Sequence, residues 1–184
     1  MRPDGTKVRD LTAIMQALPY VMPKRYDAQN WAEENLDEDA IRDYIRAKRR
    51  EGRSVTHMSL LVSAYYRAVL KNPKINYFVM NRRIYKRNHF CFSFVILKTR
   101  ADGTPDETSL KVYLEPEDTV FTVTEKIRST IEKNQNIQHN NDTDRFAKFV
   151  FGVPGLARAV FALAGFLDRH DLLPWSIIEL SPFH

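Results

Sequence analysis

Five histidines and one cysteine carry the chemistry that side chains of this 184-residue chain could perform. The histidines are His57, His89, His139, His170 and His184, and the cysteine is Cys91. A histidine acting as general base needs a neighbour that orients its ring and fixes the tautomer. None of the five has a neighbour in the sequence placed to orient its tautomer as a catalytic dyad requires. His57 reads as a residue of the first turn of a helix, His139 as part of a polar loop and His170 as the residue following a helix. No two histidines stand at metal-ligand spacing with Cys, Asp or Glu, and there is no glycine-rich phosphate loop. Cys91 lies in the apolar run HFCFSFVIL, where a lone thiol is a small hydrophobe rather than a nucleophile and has no disulfide partner. On sequence alone the chain offers no catalytic residue and no metal site.

Charge narrows the partners further. The 28 basic and 23 acidic residues leave +5, a moderate excess. Basic residues gather at Arg42, Arg46, Lys48, Arg49, Arg50 and Arg53, and again at Arg82, Arg83, Lys86 and Arg87. The helix dipole favours cations in a last turn, which accounts for the first group. The second reads as an exposed hairpin with only Tyr85 among its charges, too few aromatics for a nucleic-acid face. The start, MRPDGTKVRD, lacks the apolar stretch of a signal peptide. No window approaches the roughly 18 apolar residues of a membrane span. With 43% hydrophobic and 28% charged residues, the expectation is one globular domain over 1–184, without a transmembrane segment and cytoplasmic.

Periodicity places the elements. Leu11 to Leu18 predicts a short helix capped by Asp10 or Thr12 and ended by Pro19 and Pro23, and Gln29 to Leu36 predicts a strand. Asp37 opens a helix with an acidic start and a basic end near Gly52. From Thr56 to Lys71 the apolar residues Met58, Leu61, Val62, Tyr65, Ala68 and Val69 form one predicted core face, and Asn72-Pro73 stops that helix. Strands at Tyr77 to Met80 and Arg83 to Tyr85 flank a turn at Asn81-Arg82. His89 to Lys98, apolar on both faces, predicts a central strand, and Ser109 to Leu114 an antiparallel neighbour. Asp118 is the predicted cap of a helix buried through Val120, Val123, Ile127 and Ile131. A polar loop over 135–142 and helical pieces at 143–151, 156–167 and 175–180 follow; the middle one is apolar nearly all round and expected to be buried in the fold or its oligomer, the alternatives being a surface exposed by truncation and interfacial membrane contact.

The order of helix, Asn72-Pro73, hairpin, apolar strand, polar turn, strand and capped helix between Val55 and Asp118 resembles the catalytic domain of 2-oxo acid dehydrogenase acyltransferases, of the chloramphenicol-acetyltransferase-like superfamily. That resemblance implies an α/β fold, an α+β two-layer sandwich with helices on one face of a largely antiparallel sheet. It also implies an N-terminal portion incomplete at its C-terminus, since the family's His-x-x-x-Asp-Gly histidine has no counterpart here. The closing LLPWSIIELSPFH resembles the lead-in to the strand that bears the family's oxyanion-stabilising hydroxyl. The lipoyl and peripheral-subunit-binding domains of complex acyltransferases are not seen either. In the family, active sites lie between subunits of a trimer, and the N-terminal half walls a channel for coenzyme A or dihydrolipoamide. The resemblance makes Arg25, Tyr26, Asn30 and Ser93 substrate-channel candidates and a homotrimer the expected assembly, with no covalently bound cofactor. Two function classes follow: an acyltransferase-family domain, inactive as this chain stands, and a non-catalytic oligomerisation or interaction module derived from it.

Overall fold

The computed structural model describes residues 2–99, 103, 105–135 and 151–180. Helices and two small antiparallel sheets give a mixed α/β arrangement. The first sheet has the order β1-β3-β2, from β1 (Gly5–Lys7), β2 (Tyr77–Met80) and β3 (Arg83–Arg87). Asn81 and Arg82, between β2 and β3, both have positive φ, 47° and 59°, as a tight right-twisting hairpin turn requires. Gly5 sits where a Cβ would come within 2.7 Å of the Phe78 ring, so only glycine lets β1 lie beside that ring.

The second sheet is a hairpin of β4 (Phe90–Thr99) and β5 (Pro105–Leu114). Its register pairs Phe90 with Leu114, Phe92 with Val112 and Phe94 with Leu110, so these six share one face. Against that face pack Val62, Tyr66 and Val69 of α3 (His57–Lys71) and Val123 and Ile127 of α4 (Val120–Gln135), forming the core. The opposite face meets α6 (Trp175–Leu180), through the ring of Trp175 beside His89 and the Lys111 ammonium donating to the Glu179 carbonyl. Helices therefore touch both faces of this hairpin, where a single covered face was expected. Nor is β4 central: among the described residues it pairs with β5 alone. Its second apolar face is covered by α6 near His89 and left open farther along, at Val95 and Leu97.

Helix α3 begins at the expected Thr56, whose hydroxyl accepts from the Ser59 amide at 3.1 Å while Ser59 Oγ accepts from the Thr56 amide at 3.0 Å. Its buried face is rotated from the predicted one. Leu61 and Tyr65 are both 54% exposed, whereas Ser59, Val62, Tyr66 and Val69 are buried. The cause is Ser59, small enough to bring α3 close to α4, with its hydroxyl accepting from Thr124 Oγ1 at 2.7 Å. An apolar count passes over such a buried polar pair. Leu61→Ala is accordingly expected to cost less than about 0.5 kcal/mol and Val62→Ala about 2 kcal/mol, read by urea unfolding.

Other expectations change as well. Helix α1 (Ala13–Val21), capped by the Thr12 hydroxyl, runs through Pro19 instead of ending there. Proline's fixed φ is helical, so it costs one hydrogen bond without barring the turn, and the Met22 amide closes the helix on the Leu18 carbonyl at 2.8 Å. Residues 29–36 form no strand; they run exposed, with Trp31 90% accessible, and no backbone among the described residues pairs with them. Helix α2 (Glu38–Arg50) matches its prediction, with the Asp37 carboxylate accepting from the Asp39 amide at 2.9 Å. In α4 the cap is Thr119, whose hydroxyl accepts from the Thr122 amide; Asp118, one residue earlier, accepts from the Glu115 amide at 2.8 Å and from Lys126 Nζ at 2.6 Å.

Helix α5 (Leu156–Arg169) buries no residue and exposes Phe161, Leu163 and Phe166, so the expected burial is not met within a single chain. Its attachment is polar. Arg2 donates to both Asp4 oxygens at 2.8 and 2.9 Å, to Asp168 Oδ1 at 2.7 Å and to the Asp168 carbonyl at 2.9 Å, where the dipole favours a cation. Tyr85 donates to Asp171 Oδ2 at 2.9 Å beside it. The expected loop at 135–142 lies outside the described residues save Gln135, the last of α4, and the piece at 143–151 does so save Phe151. No helix among the described residues is long and apolar enough to cross a membrane.

Candidate functional site

Strand alternation decides which of the reactive residues meet. His89, just before β4, and Cys91 and Ser93 within it fall two apart, on the face away from the aromatic core. Opposite them in the register stand Tyr113 beside Cys91, Lys111 beside Ser93 and Ser109 beside Val95. A cavity of about 510 Å³ opens along this stretch of β4, walled by Leu61 and Tyr65 of α3, Asn76, Arg87, and the strand residues from His89 to Ser93. The Asn76 amide donates to the His89 carbonyl at 3.2 Å and fixes that end of the wall. The edge of β4 away from β5 pairs with no strand among the described residues, so it retains backbone hydrogen-bonding groups of its own.

The groups around the cavity are tuned away from nucleophilic catalysis. Burial pushes the Cys91 thiol up, more than Lys111, Tyr113 and Arg87 pull it down. Ser93 Oγ lies 3.2 Å from Ser109 Oγ, a hydroxyl partner with no basic character. The His89 ring meets Tyr113 and Trp175 edge-on, with centroids 5.3 and 4.9 Å away. Burial, helped by Arg87, holds its imidazole below the usual histidine range, hence neutral at pH 7. Burial first, then Cys91 and Glu179, raises the Tyr113 phenol to about 12. A raised thiol pKa leaves less thiolate at any given pH. Alkylation of Cys91 by iodoacetamide is therefore expected to rise with pH along a curve displaced above that of a free cysteine peptide, and a coincident curve would contradict the burial.

Of the four channel candidates, Ser93 alone lines this cavity. Arg25 and Tyr26 belong to a short 3-10 turn (Arg25–Ala28), and Asn30 to the exposed stretch after it, so the structure does not gather them with Ser93. Within that turn Asp27 accepts from the Lys24 amide at 3.0 Å. Arg87, Asn76 and His89 join the site unannounced by any motif, although the alternation His89-x-Cys91-x-Ser93 was a readable sign of one shared face. Among the described residues no three of His, Cys, Asp and Glu are grouped so as to hold a metal.

Compared with protein-family models, curated proteins and solved structures, the chain matches none.

Proposed function

We propose that this chain is an acyltransferase-like domain whose β4 cavity holds the pantetheine or lipoyl-type arm of an acyl thioester, without itself carrying out the transfer. The observation that carries the reading is the cavity along a free strand edge. A pantetheine arm is an extended chain bearing two amides, and backbone groups of an unpaired strand edge are its natural partners. Leu61 and Tyr65 offer apolar contact to the methylene and acyl parts, and Asn76 and Arg87 offer polar contact at the rim. The resemblance in the order of elements from Val55 to Asp118 supports the same substrate class.

Transfer needs more than binding. A positioned general base contributes roughly 10² to 10⁴ in rate and one oxyanion donor about 10² to 10³. Cys91 is held as a thiol and Ser93 is paired to a serine, so neither is an activated nucleophile. Calorimetric titration with S-acetyl-pantetheine, which carries no phosphate, tests the binding. A dissociation constant below about 1 mM is expected. Leu61→Trp, at a half-exposed cavity position, is expected to weaken it at least about tenfold without loss of folding stability. Absence of binding heat, or equal affinity in the Leu61→Trp variant, would reject the reading.

A second reading has its own observation. Val95 and Leu97 are 60% and 72% exposed on the same strand whose edge is free, the arrangement by which a second copy adds a strand. An interaction module, or the trimer the resemblance implies, would then associate in sedimentation at ~50 µM, a concentration that reveals even weak contacts. A clean monomer there would count against both.

A further inference from the structure

A second concave surface, sharing no residue with the first, lies between α1 and the turn joining β2 to β3. Its volume is about 460 Å³. Lys7, Arg9, Arg82 and Arg83 all line it, and none of the residues lining it is acidic. Among the described residues, none of these four cations has a carboxylate as ion-pair partner. Like charges gathered along one surface raise its positive potential, which favours the approach of an anion.

The hairpin turn sets where one of these cations lies. Arg82 holds φ at 59° in a turn position where glycine is preferred, because a Cβ there is strained. Its partner in the turn, Asn81, tolerates that geometry and donates to the Arg169 carbonyl at 3.3 Å, anchoring the turn. The strained position places the Arg82 guanidinium over the Tyr20 ring, 5.2 Å from its centroid. Stacking leaves the in-plane N–H donors of a guanidinium free for phosphate oxygens. Tyr20 itself is 61% exposed beside the groove.

We infer that this groove binds a small molecule bearing a diphosphate, held by Lys7, Arg9, Arg82 and Arg83. Four cations match the spread charge of two linked phosphates, and none of the lining residues supplies a competing anion. The site is independent of the thioester cavity and stands or falls without it.

Calorimetric titration of the full chain with pyrophosphate, ADP and adenosine tests the site at low and high salt. Pyrophosphate and ADP are expected to bind with affinities that fall as salt rises, and adenosine not to bind. ADP binding more tightly than pyrophosphate would support the site and add a base contact with Tyr20. Arg82→Gly is expected to leave the melting temperature unchanged or raised, because glycine relieves the turn, while weakening pyrophosphate at least about tenfold. Arg49→Gln, in the exposed basic end of α2 and outside the groove, is expected to leave affinity unchanged. Failure of pyrophosphate to bind, adenosine binding as tightly as ADP, or equal weakening by Arg49→Gln would overturn the inference.

Discussion

Asp4→Ala is expected to lower the unfolding free energy by about 3–5 kcal/mol, the loss typical of breaking a buried ion pair from one side. Asp4 is 1% exposed and receives two hydrogen bonds from Arg2, itself 5% exposed. Without Asp4 the guanidinium keeps Asp168 at 2.7 Å and Asp171 at 3.6 Å, but its Nε–H and one Nη2–H, buried with it, lose their acceptors. Domains of this size have only about 5–15 kcal/mol in reserve, so the variant should melt far earlier. The same substitution should loosen α5, whose side chains are not buried and whose C-terminal turn is tied down by Arg2 and Tyr85. Urea unfolding gives the first result and limited proteolysis near Arg169 the second. A loss below about 1 kcal/mol would mean that the pair is dispensable.

Tyr66→Ala should be comparably severe, at about 3–5 kcal/mol, as for other large aromatic truncations in a core. Tyr66 is buried between α3 and the hairpin, its ring 4.7 Å from that of Phe90. Its neighbours in the core are Val62, Val69, Val112, Leu114 and Val123, so the removed ring leaves a cavity bounded by two helices and a sheet. Tyr66→Phe keeps the ring and should cost less than about 1.5 kcal/mol. Thermal unfolding of the pair separates ring from hydroxyl, and equal losses would place the energy in the hydroxyl instead.

The parts of the fold that local chemistry decides were legible from the residues. Asp37, Thr56 and Asn72-Pro73 mark helix ends because a side-chain oxygen or a missing N–H acts at the terminus itself. Asn81-Arg82 and the polar turn before β5 announce hairpins for the same local reason. Where distant contacts decide, reading failed. The rotation of α3 depends on a serine meeting Thr124, 65 residues later. The second face of β4 depends on Trp175 of α6, and the strand predicted over 29–36 has no partner strand among the described residues. The site divides along the same line. Ser93 is a candidate through the resemblance, but Asn76 and Arg87 reach the cavity only through the way the two sheets and α3 meet.

Cys91 is the single thiol of the chain and lines the proposed thioester cavity, so its alkylation reports on that cavity alone. The most direct measurement follows the rate of its modification by mass spectrometry at alkaline pH, with increasing S-acetyl-pantetheine. Occupancy is expected to slow alkylation in a saturable way, with no acetyl adduct on the protein and no thiol released. An unchanged rate at saturating thioester would contradict the binding site, and an acetylated Cys91 or steady thiol release would contradict a domain that holds its substrate without transferring the acyl group.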